Sequence, residues 1–360
     1  MAEIRLDRVH KSFGDFTAVR ESSFTVDDGE FFVMLGPSGC GKTTTLRMIA
    51  GLELPTSGRI LLDGEDVTWN RGAERDIAFV FQLFALYPHM SARRNINFPL
   101  RIAGLPRREI RERTDEVAKL LEIEHLLDHP VSGLAAGDRQ RVALGRAIVR
   151  RAKAFLMDEP LGALDAEFRE KMCEELRVLH NRIGATTVYV THDQLEAMAM
   201  ADRICVMNHA EVLQIGPPTE VYARPATRFV ASFIGSPAMN FLPAQGRLPA
   251  GATAVRVGAT EIAVPPTTAP LDAGAVLGAR PEHIVIGDEG PMRGRVRAVE
   301  YMGARQLVTV ETDAGMLKVR APNEVRVADG ETVGLSFLRD RLSVFDGASD
   351  RSVTRGGVDG

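Results

Sequence analysis

Short apolar runs alternate with segments of helical periodicity over the first two thirds of the chain, up to residue 235. Residues 31–35 are all apolar, as in a buried strand, and residues 186–190 are rich in the β-branched side chains that favour strands. Residues 165–184 place apolar side chains three or four positions apart, which predicts a helix that Gly184 ends. Strands that alternate with helices in this way predict an α/β domain with a parallel sheet.

A stretch of helix-forming sequence lies inside this α/β pattern, over residues 84–152. Within it, residues 106–127 carry Ile110, Val117 and Leu120 on one helical face and many charged side chains on the opposite face. We therefore expect a helical insertion in the α/β core.

The pattern changes near residue 235, where Pro and Gly become frequent and helical periodicity disappears. Short alternating segments follow, and they predict a small β-barrel or β-sandwich. We place one domain over residues 1–235, an all-β domain over 236–347 and a flexible Gly/Asp/Arg/Ser-rich tail over 348–360. The predicted strands of the second domain cover residues 254–257, 262–264, 283–286, 295–299, 307–311, 317–319 and 333–337.

Composition agrees with two soluble domains and excludes some classes of protein. A chain of 360 residues exceeds what one compact core usually holds. A net charge of −4 argues against a general nucleic-acid binder, which usually carries a basic excess. The sequence has neither an apolar run of membrane-spanning length nor the apolar core of a signal peptide, so partner chains would have to supply any membrane spans. The widely spaced Cys40, Cys173 and Cys205 are interpreted as free thiols in a reducing cytoplasm.

A phosphate-binding loop follows the first buried strand. Residues 36–43 read Gly-Pro-Ser-Gly-Cys-Gly-Lys-Thr, which matches G-x-x-x-x-G-K-[ST], and a helix is predicted directly after them. The loop backbone and the helix N-terminus would face the phosphates of a nucleotide. Lys42 would reach the terminal phosphates, and the Thr43 hydroxyl would coordinate Mg²⁺. The residues expected to bind the nucleotide here are Ser38, Gly39, Cys40, Gly41, Lys42, Thr43 and Thr44.

Two carboxylates end a second apolar strand at residues 154–159. In a fold of this kind, ligand chemistry lies at the tips of such strands. We expect Asp158 to hold the magnesium shell and Glu159 to act as general base on the attacking water. His192 follows a third apolar strand, and beside these two motifs we expect it to contact the terminal phosphate.

Together these motifs resemble the nucleotide-binding subunits of ABC transporters, and the resemblance covers nearly the whole chain. Through it, further positions acquire expected roles. Phe13 stands where the family stacks an aromatic ring on adenine, and Gln82 stands at the Q-loop glutamine, which reaches Mg²⁺ and links the site to the membrane subunit. Residues 161–165 match the D-loop, and His192 matches the switch histidine.

Three segments resemble the carbohydrate and glycerol-phosphate importers within that family: residues 86–90, 95–100 and 278–283. The resemblance implies a P-loop NTPase domain with a helical insertion, followed by a C-terminal all-β, OB-like regulatory domain. It also implies that MgATP hydrolysis drives uptake of a sugar, a polyol or a glycerol-phosphate. The expected partners are a second copy of this chain, two membrane-spanning permease subunits and, indirectly, an external solute-binding protein, with no nucleic acid. The expected location is the cytoplasmic face of the inner membrane, as a peripheral subunit.

The family's signature segment departs from its usual sequence in this chain. Leu-Ser-Gly-Gly-Gln is replaced by Leu-Ala-Ala-Gly-Asp at residues 134–138, in a register fixed by the following Arg-Gln-Arg-Val-Ala. Ala135, Gly137 and Asp138 are therefore the expected contacts to ATP on the opposite subunit. Loss of the serine hydroxyl removes a hydrogen bond worth roughly 1.5–3 kcal/mol, and an acid near a phosphate is unfavourable. We expect weaker ATP-driven closure with hydrolysis retained, while the alternative is that this subgroup tolerates the substitution.

Two other functional classes stay open at this point. A DNA-handling or translation ABC ATPase would usually lack the β-barrel and carry coiled coils or paired ATPase domains. A regulatory binding module would show little ATPase activity, and the altered signature favours it slightly.

Overall fold

The computed structural model describes residues 2–82, 84–162, 164, 166–272 and 274–354. By its internal contacts the chain divides into two compact units, Met1–Pro218 and Thr219–Gly360. The domain limit predicted at residue 235 stays a prediction. Within the part of the chain that is described, no helix has both the length and the apolar character needed to cross a bilayer.

The first unit combines two sheets with helices, in the α/β class predicted from the sequence. In chain order its elements are β1 (Ile4–Phe13), β2 (Phe16–Val26), β3 (Phe31–Leu35), α1 (Lys42–Ile49), β4 (Ser57–Leu62), β5 (Glu65–Asp66), β6 (Ile77–Val80), α2 (Ala92–Ile102), α3 (Arg107–Leu120), α4 (Ala136–Ile148), β7 (Ala154–Asp158), α5 (Ala166–Ile183), β8 (Thr186–Thr191), α6 (Gln194–Met200), β9 (Arg203–Asn208) and β10 (Glu211–Gly216).

The larger sheet has the strand order β10-β9-β3-β8-β7-β6, in which only the β9–β10 pair is antiparallel. Strands β3, β7 and β8 are buried along their whole length, as expected for parallel strands covered on both faces. A smaller antiparallel sheet has the order β2-β1-β4-β5. The parallel register aligns the carboxyl ends of β6, β3, β7 and β8 along one edge, and that edge holds the site.

The predicted helical insertion is present between β6 and β7 and consists of α2, α3 and α4. The helix expected over residues 106–127 is shorter, because α3 ends at Leu120 and Glu122 takes a left-handed φ of 58° that an α-helix does not accommodate. A 3-10 turn, Glu124–Leu126, follows. The buried Asn95 side chain accepts a hydrogen bond from the Tyr87 amide at 2.8 Å and donates to its carbonyl at 3.1 Å, which fixes the importer-like segment before α2.

The second unit is all-β apart from short helices, and this confirms the predicted fold class. Its core is apolar and lies between a three-stranded sheet, β11-β14-β20, and a five-stranded sheet, β15-β19-β16-β17-β18, with the hairpin β12-β13 beside them. Its elements are α7 (Pro218–Ala223), α8 (Arg228–Phe233), β11 (Asn240–Pro243), β12 (Ala254–Val257), β13 (Thr260–Ala263), β14 (Ala275–Ala279), β15 (Ile284–Gly287), β16 (Met292–Met302), β17 (Arg305–Thr312), β18 (Gly315–Pro322), β19 (Thr332–Phe337) and β20 (Ser343–Asp346).

The seven expected strands correspond to β12, β13 and β15 to β19, with limits that differ by a few residues. Three more strands, β11, β14 and β20, pair with one another and were not predicted, because they are short and rich in Gly, Ala and Pro or lie near the expected tail. The tail itself is bridged over part of its length: Arg351 pairs with Thr227, and Thr354 pairs with Thr267. Residues 355–360 of that expected tail lie outside the described residues.

The importer-like segment 278–283 has a structural role in this unit. Arg280 is 1% exposed and donates to the carbonyls of Ile234 at 2.7 Å and Tyr222 at 2.6 Å. Its guanidinium also lies 3.7 Å from the centroid of the Tyr222 ring, and burial lowers its pKa. The Tyr222 carbonyl lies near the end of α7, and the Ile234 carbonyl directly follows α8. Arg280 therefore holds both short helices against the start of the barrel.

Candidate functional site

The phosphate-binding loop leaves β3 and enters α1, as its sequence predicts. A Cβ atom at Gly36 would collide with the carbonyl oxygen of Met207 on β9, so only glycine allows this close approach. Gly41 has a φ of 106°, in the region that favours glycine, and caps α1. The turn therefore directs the N-terminal amides of α1 toward the space above the sheet, where an anion would bind.

Lys42 is 4% exposed and folds back over the loop. Its Nζ atom donates to the carbonyl oxygens of Gly36 at 2.8 Å and Pro37 at 2.9 Å, and it lies 3.9 Å from Sγ of Cys40. Burial raises the pKa of the Cys40 thiol, so this side chain is uncharged where it lines the loop. The remaining loop residues are accessible to a ligand: Ser38 and Gly39 are exposed, and Thr43 and Thr44 are half-buried.

Two of the three expected magnesium ligands, Thr43 and Asp158, lie side by side. The Thr43 hydroxyl donates to Oδ1 of Asp158 at 2.8 Å, and Asp158 is 5% exposed at the end of β7. Burial raises the pKa of this carboxyl, while the Thr43 hydrogen bond and the nearby Arg47 and Lys42 act in the opposite direction. Among the described residues, no group of three or more His, Cys, Asp or Glu side chains is arranged to bind a metal by itself. One carboxylate and one hydroxyl nevertheless fit Mg²⁺, which usually completes its shell with phosphate oxygens and water.

Glu159, His192 and Gln82 converge at the same sheet edge. Oε2 of Glu159 lies 3.2 Å from Nδ1 of His192 and 3.3 Å from Nε2 of Gln82. Glu159 has a left-handed φ of 44°, and its amide donates to the Val190 carbonyl at 3.0 Å, which turns the side chain away from β7. Loops that are distant in sequence thus bring an imidazole and an amide to one oxygen of the Glu159 carboxylate.

Phe13 lies apart from this cluster, at the end of β1. It is 48% exposed, and the Lys11 ammonium lies 4.6 Å from its ring centroid. One face of the ring is therefore held by a cation, and the exposed part can stack on a planar ligand.

The signature segment forms the start of α4. Ala135 is the N-cap residue, with no side-chain cap, and Asp138 lies in the first turn. Gly137 is buried, and a Cβ atom there would collide with the ring of Phe168 on α5. No hydrogen bond or ion pair in the described part of the chain joins Ala135, Gly137 or Asp138 to the phosphate-binding loop. The signature is thus separate from the cluster within one chain, and its predicted contact with ATP stays a prediction.

Comparison with known proteins decides the family. A family model described as ABC transporter matches residues 19–162, a MalK OB fold domain model matches residues 235–284, and a TOBE domain model matches residues 277–345. The trehalose import ATP-binding protein SugC of Mycobacterium tuberculosis is 46% identical, over 98% of this chain and 99% of SugC. The trehalose/maltose import protein MalK of Thermococcus litoralis is 44% identical over 98% and 100%, and the sn-glycerol-3-phosphate import protein UgpC of Ruegeria pomeroyi is 46% identical over 96% and 97%.

The chain belongs to the ATP-binding subunits of ABC importers. It is an ATPase of the ABC class, and its predicted α/β and all-β architecture is confirmed. The dimeric structure of a bacterial ABC transporter cassette matches with a TM-score of 0.54 and 33% identity, over 60% of this chain and 98% of the cassette. The cbiO1 protein of Clostridium perfringens, part of an ABC transporter complex, matches with a TM-score of 0.58 and 29% identity, over 61% and 90%.

The site of this ABC ATPase contains a buried network that the sequence did not reveal. Glu196 is 4% exposed on α6 and accepts from the hydroxyls of Tyr189 at 2.8 Å and Thr191 at 2.7 Å. Arg169 of α5 donates to Oδ2 of Asp193 at 3.0 Å and lies 3.6 Å from Oε1 of Glu196. Burial raises the pKa of Glu196. The network fixes the positions of Thr191 and Asp193, the residues on both sides of His192.

The same arginine reaches the D-loop. Arg169 donates to the Leu164 carbonyl at 2.9 Å, so it connects the segment after His192 to the segment after Glu159. Ala163 and Asp165 of the predicted D-loop, residues 161–165, lie outside the described residues. Glu196 stands three residues after the N-cap Asp193, the spacing of a capping box, yet its carboxylate bonds to the hydroxyls of Tyr189 and Thr191.

Arg146 of α4, which was also not predicted, holds the loop that follows Gln82. It donates to the carbonyls of Phe84 and Ala85, each at 2.7 Å. Both residues have left-handed φ angles, 60° and 48°, which L-residues rarely adopt. The signature helix and the Q-loop are therefore joined by one side chain.

Proposed function

We propose that this ABC ATPase is the ATP-hydrolysing subunit of an importer for a sugar, a polyol or a glycerol-phosphate. Relatives that match along nearly the full length include proteins whose names state import of trehalose, maltose or sn-glycerol-3-phosphate. On this proposal the chain acts as a homodimer at the cytoplasmic face of the inner membrane. Two membrane-spanning permease subunits and an external solute-binding protein complete the transporter, and no nucleic acid takes part.

The observation that carries the hydrolytic role is the convergence of Glu159, His192 and Gln82 beside the Thr43–Asp158 pair. Glu159 accepts a proton from the attacking water at Oε2. His192 and Gln82 orient that carboxylate and, after a small movement, face the terminal phosphate. Positioning and charge stabilisation of this kind account for most of the catalysis of phosphoryl transfer.

The loop residues bind the remaining parts of ATP. Amides of residues 38–44 and the Lys42 ammonium hold the phosphates, and Phe13 stacks on adenine. Thr43, Asp158 and Gln82 are the residues that would hold Mg²⁺. That ion, when bound, neutralises charge on the phosphates.

The signature segment of one subunit would close the site of the other. The N-terminal amides of α4 and the dipole of that helix face the anion, with Ala135, Gly137 and Asp138 as the predicted contacts. ATP then shifts the dimer toward its closed state because it binds that state more tightly. Hydrolysis removes this preference and resets the dimer.

The test is to purify the chain with its neighbouring permease and solute-binding chains and to reconstitute the assembly in liposomes. We expect ATPase activity to rise several-fold when the binding protein is loaded with one member of a panel of trehalose, maltose, sorbitol and glycerol-3-phosphate. An assembly that carries Glu159→Gln should bind the same solute without phosphate release. Stimulation by none of these solutes, or co-purification with nucleic acid in place of membrane proteins, would contradict the proposal.

A further inference from the structure

Lys11 lies against the aromatic ring that is proposed to stack on adenine, and its side chain is largely covered. That side chain is 12% exposed, and its Nζ atom lies 4.6 Å from the centroid of the Phe13 ring. A cation within about 6 Å of a ring centroid is attracted to the face of the ring. Because this ammonium has lost most of its contact with water, the attraction is stronger than it would be at an exposed site.

Two oxygens of the loop that follows α1 hold the ammonium in place. Nζ of Lys11 donates to Oε1 of Glu53 at 2.6 Å and to the Leu54 carbonyl at 2.7 Å. These bonds use two of the three N–H donors of an ammonium. A lysine side chain is flexible, so these acceptors keep the cation at the face of the Phe13 ring.

The same loop is tied to the helix that begins at the phosphate-binding loop. The amides of Leu52 and Glu53 donate to the Arg47 carbonyl in the last turn of α1, at 3.0 Å and 3.2 Å. Further along the loop, the Thr56 amide donates to the His10 carbonyl of β1 at 2.8 Å. The end of β1 is therefore fixed relative to the helix whose N-terminus faces the phosphates.

The Phe13 ring keeps accessible surface for a ligand. It is 48% exposed although a cation lies against one face. The face of an aromatic ring is negative, which disfavours direct face-to-face stacking. A cation on one face offsets that negative charge, so a flat base on the other face is repelled less.

We infer that Lys11 is a positioning residue for the nucleotide base: held by Glu53 and Leu54, it fixes the Phe13 ring and lowers the repulsion between that ring and adenine. The inference rests on the proposed stacking of Phe13 on adenine and assigns Lys11 no step of hydrolysis. Its effect should therefore depend on the base of the nucleotide and not on the phosphates.

The test is titration calorimetry of the full chain with MgADP, which the site does not hydrolyse, and with magnesium pyrophosphate, which lacks the base. We expect Lys11→Met to bind MgADP at least about fivefold more weakly than the unchanged chain and to bind pyrophosphate equally well. Lys11→Arg keeps a cation and should retain most of the affinity. The matched control Lys171→Met removes an exposed lysine that lies 3.9 Å from Glu175, and it should change neither affinity.

A double-mutant cycle separates positioning of the ring from a general loosening of the fold. Phe13→Ala should itself weaken MgADP binding, and adding Lys11→Met to it should cause no further loss. Glu53→Gln removes the charged acceptor of the ammonium and should weaken MgADP binding by about twofold. Thermal melts establish folding, and Glu53→Gln carries the test if Lys11→Met is unstable.

Normal MgADP binding by Lys11→Met, or by Glu53→Gln in its place, would overturn the inference. So would an equal loss of pyrophosphate binding, or the same loss of MgADP binding with and without the Phe13 ring. Normal MgADP binding by Phe13→Ala would remove the proposed stacking and the inference together. Because neither ligand is hydrolysed, each of these results leaves the ATPase role intact, and phosphate release from ATP measures that role separately.

Discussion

Nδ1 of His192 lies 3.2 Å from Oε2 of Glu159, although the two residues follow different strands of the central sheet. Glu159 holds its side chain toward His192 at a left-handed φ of 44°. A non-glycine residue in that conformation costs on the order of 1–3 kcal/mol. The surrounding contacts specify this conformation, because the Glu159 amide donates to the Val190 carbonyl at 3.0 Å and His192 lies against the carboxylate.

Replacement of that histidine should uncouple binding from hydrolysis. We expect His192→Ala to lower the rate of phosphate release about 100-fold, because Glu159 loses a neighbour that orients it. ATP affinity should change less, because Lys42 and the loop amides remain. Rapid-quench measurement of phosphate release and equilibrium ATP binding test this, with the exposed His125→Ala as a control. A His192→Ala chain that hydrolyses ATP at the normal rate would refute the role of this pair.

The buried carboxyl of Asp158 predicts a conflict between stability and metal binding. Burial raises its pKa in the folded state above the ordinary value of 3.8. The folded chain therefore binds the proton more tightly than the unfolded chain, and stability falls as pH rises from that value through the folded pKa. Asp158→Asn cannot lose a proton, so without nucleotide it should melt at a higher temperature than the unchanged chain at neutral pH. The difference should shrink toward acid pH.

The same substitution should weaken magnesium-dependent ATP binding by at least about tenfold, because a charged contact is removed. Calorimetry from about pH 4 to about pH 7.5 and magnesium titrations measure the two effects. Asp15→Asn, in an exposed turn, is the control and should show neither. A lower melting temperature for Asp158→Asn at neutral pH would show that the carboxylate is favourable where it lies.

The unusual signature predicts a gain of activity. Ala135→Ser with Asp138→Gln should raise the ATPase rate of the assembled transporter about tenfold, because a hydrogen bond to a charged phosphate oxygen is restored. The serine should also cap α4, which now lacks a side-chain cap, and so raise thermal stability. Ser132→Ala, in the turn before the signature, should change neither property. An unchanged or lower rate in the double variant would mean that the signature is not impaired.

The Arg146 contacts predict that removal of this guanidinium makes the loop after Gln82 more mobile. Arg146→Gln leaves the carbonyls of Phe84 and Ala85 without their donor, so hydrogen exchange over residues 84–87 should accelerate about tenfold or more. Phosphate release should fall, and Arg146→Lys should restore it in part, because an ammonium can satisfy only some of the contacts. Arg151→Gln, which removes an exposed ion pair with Glu116, should leave the exchange of this loop unchanged. Unchanged exchange in Arg146→Gln would contradict the coupling.

The parts of the site that sequence reasoning found are local motifs at strand ends. The phosphate-binding loop follows a wholly apolar strand, and Asp158 and Glu159 end another, so a parallel sheet brings them to one edge. For Gln82 the family resemblance implied a contact with Mg²⁺, and the structure places its amide 3.3 Å from Oε2 of Glu159. The contact with Mg²⁺ and the catalytic roles stay predictions.

The unpredicted parts depend on contacts between distant residues. Glu196 is charged and falls on a helix whose polar positions usually face solvent, so no periodic pattern marks it as buried or marks the half-buried Arg169 as its partner. Arg280 is a similar case, since a charged side chain is rarely expected to be 1% exposed. Strands β11, β14 and β20 are recognisable only through their pairing.

If Glu159 is the base of this ATPase, an amide in place of its carboxylate should stop hydrolysis while ATP still binds. Purified chain and its Glu159→Gln variant are mixed with MgATP, and bound ATP and released phosphate are followed in a single turnover, with Glu65→Gln on exposed β5 as a matched control. We predict that the variant retains ATP and releases phosphate at least about 100-fold more slowly, while the control matches the unchanged chain. Phosphate release by Glu159→Gln at the normal rate would show that Glu159 is not the base.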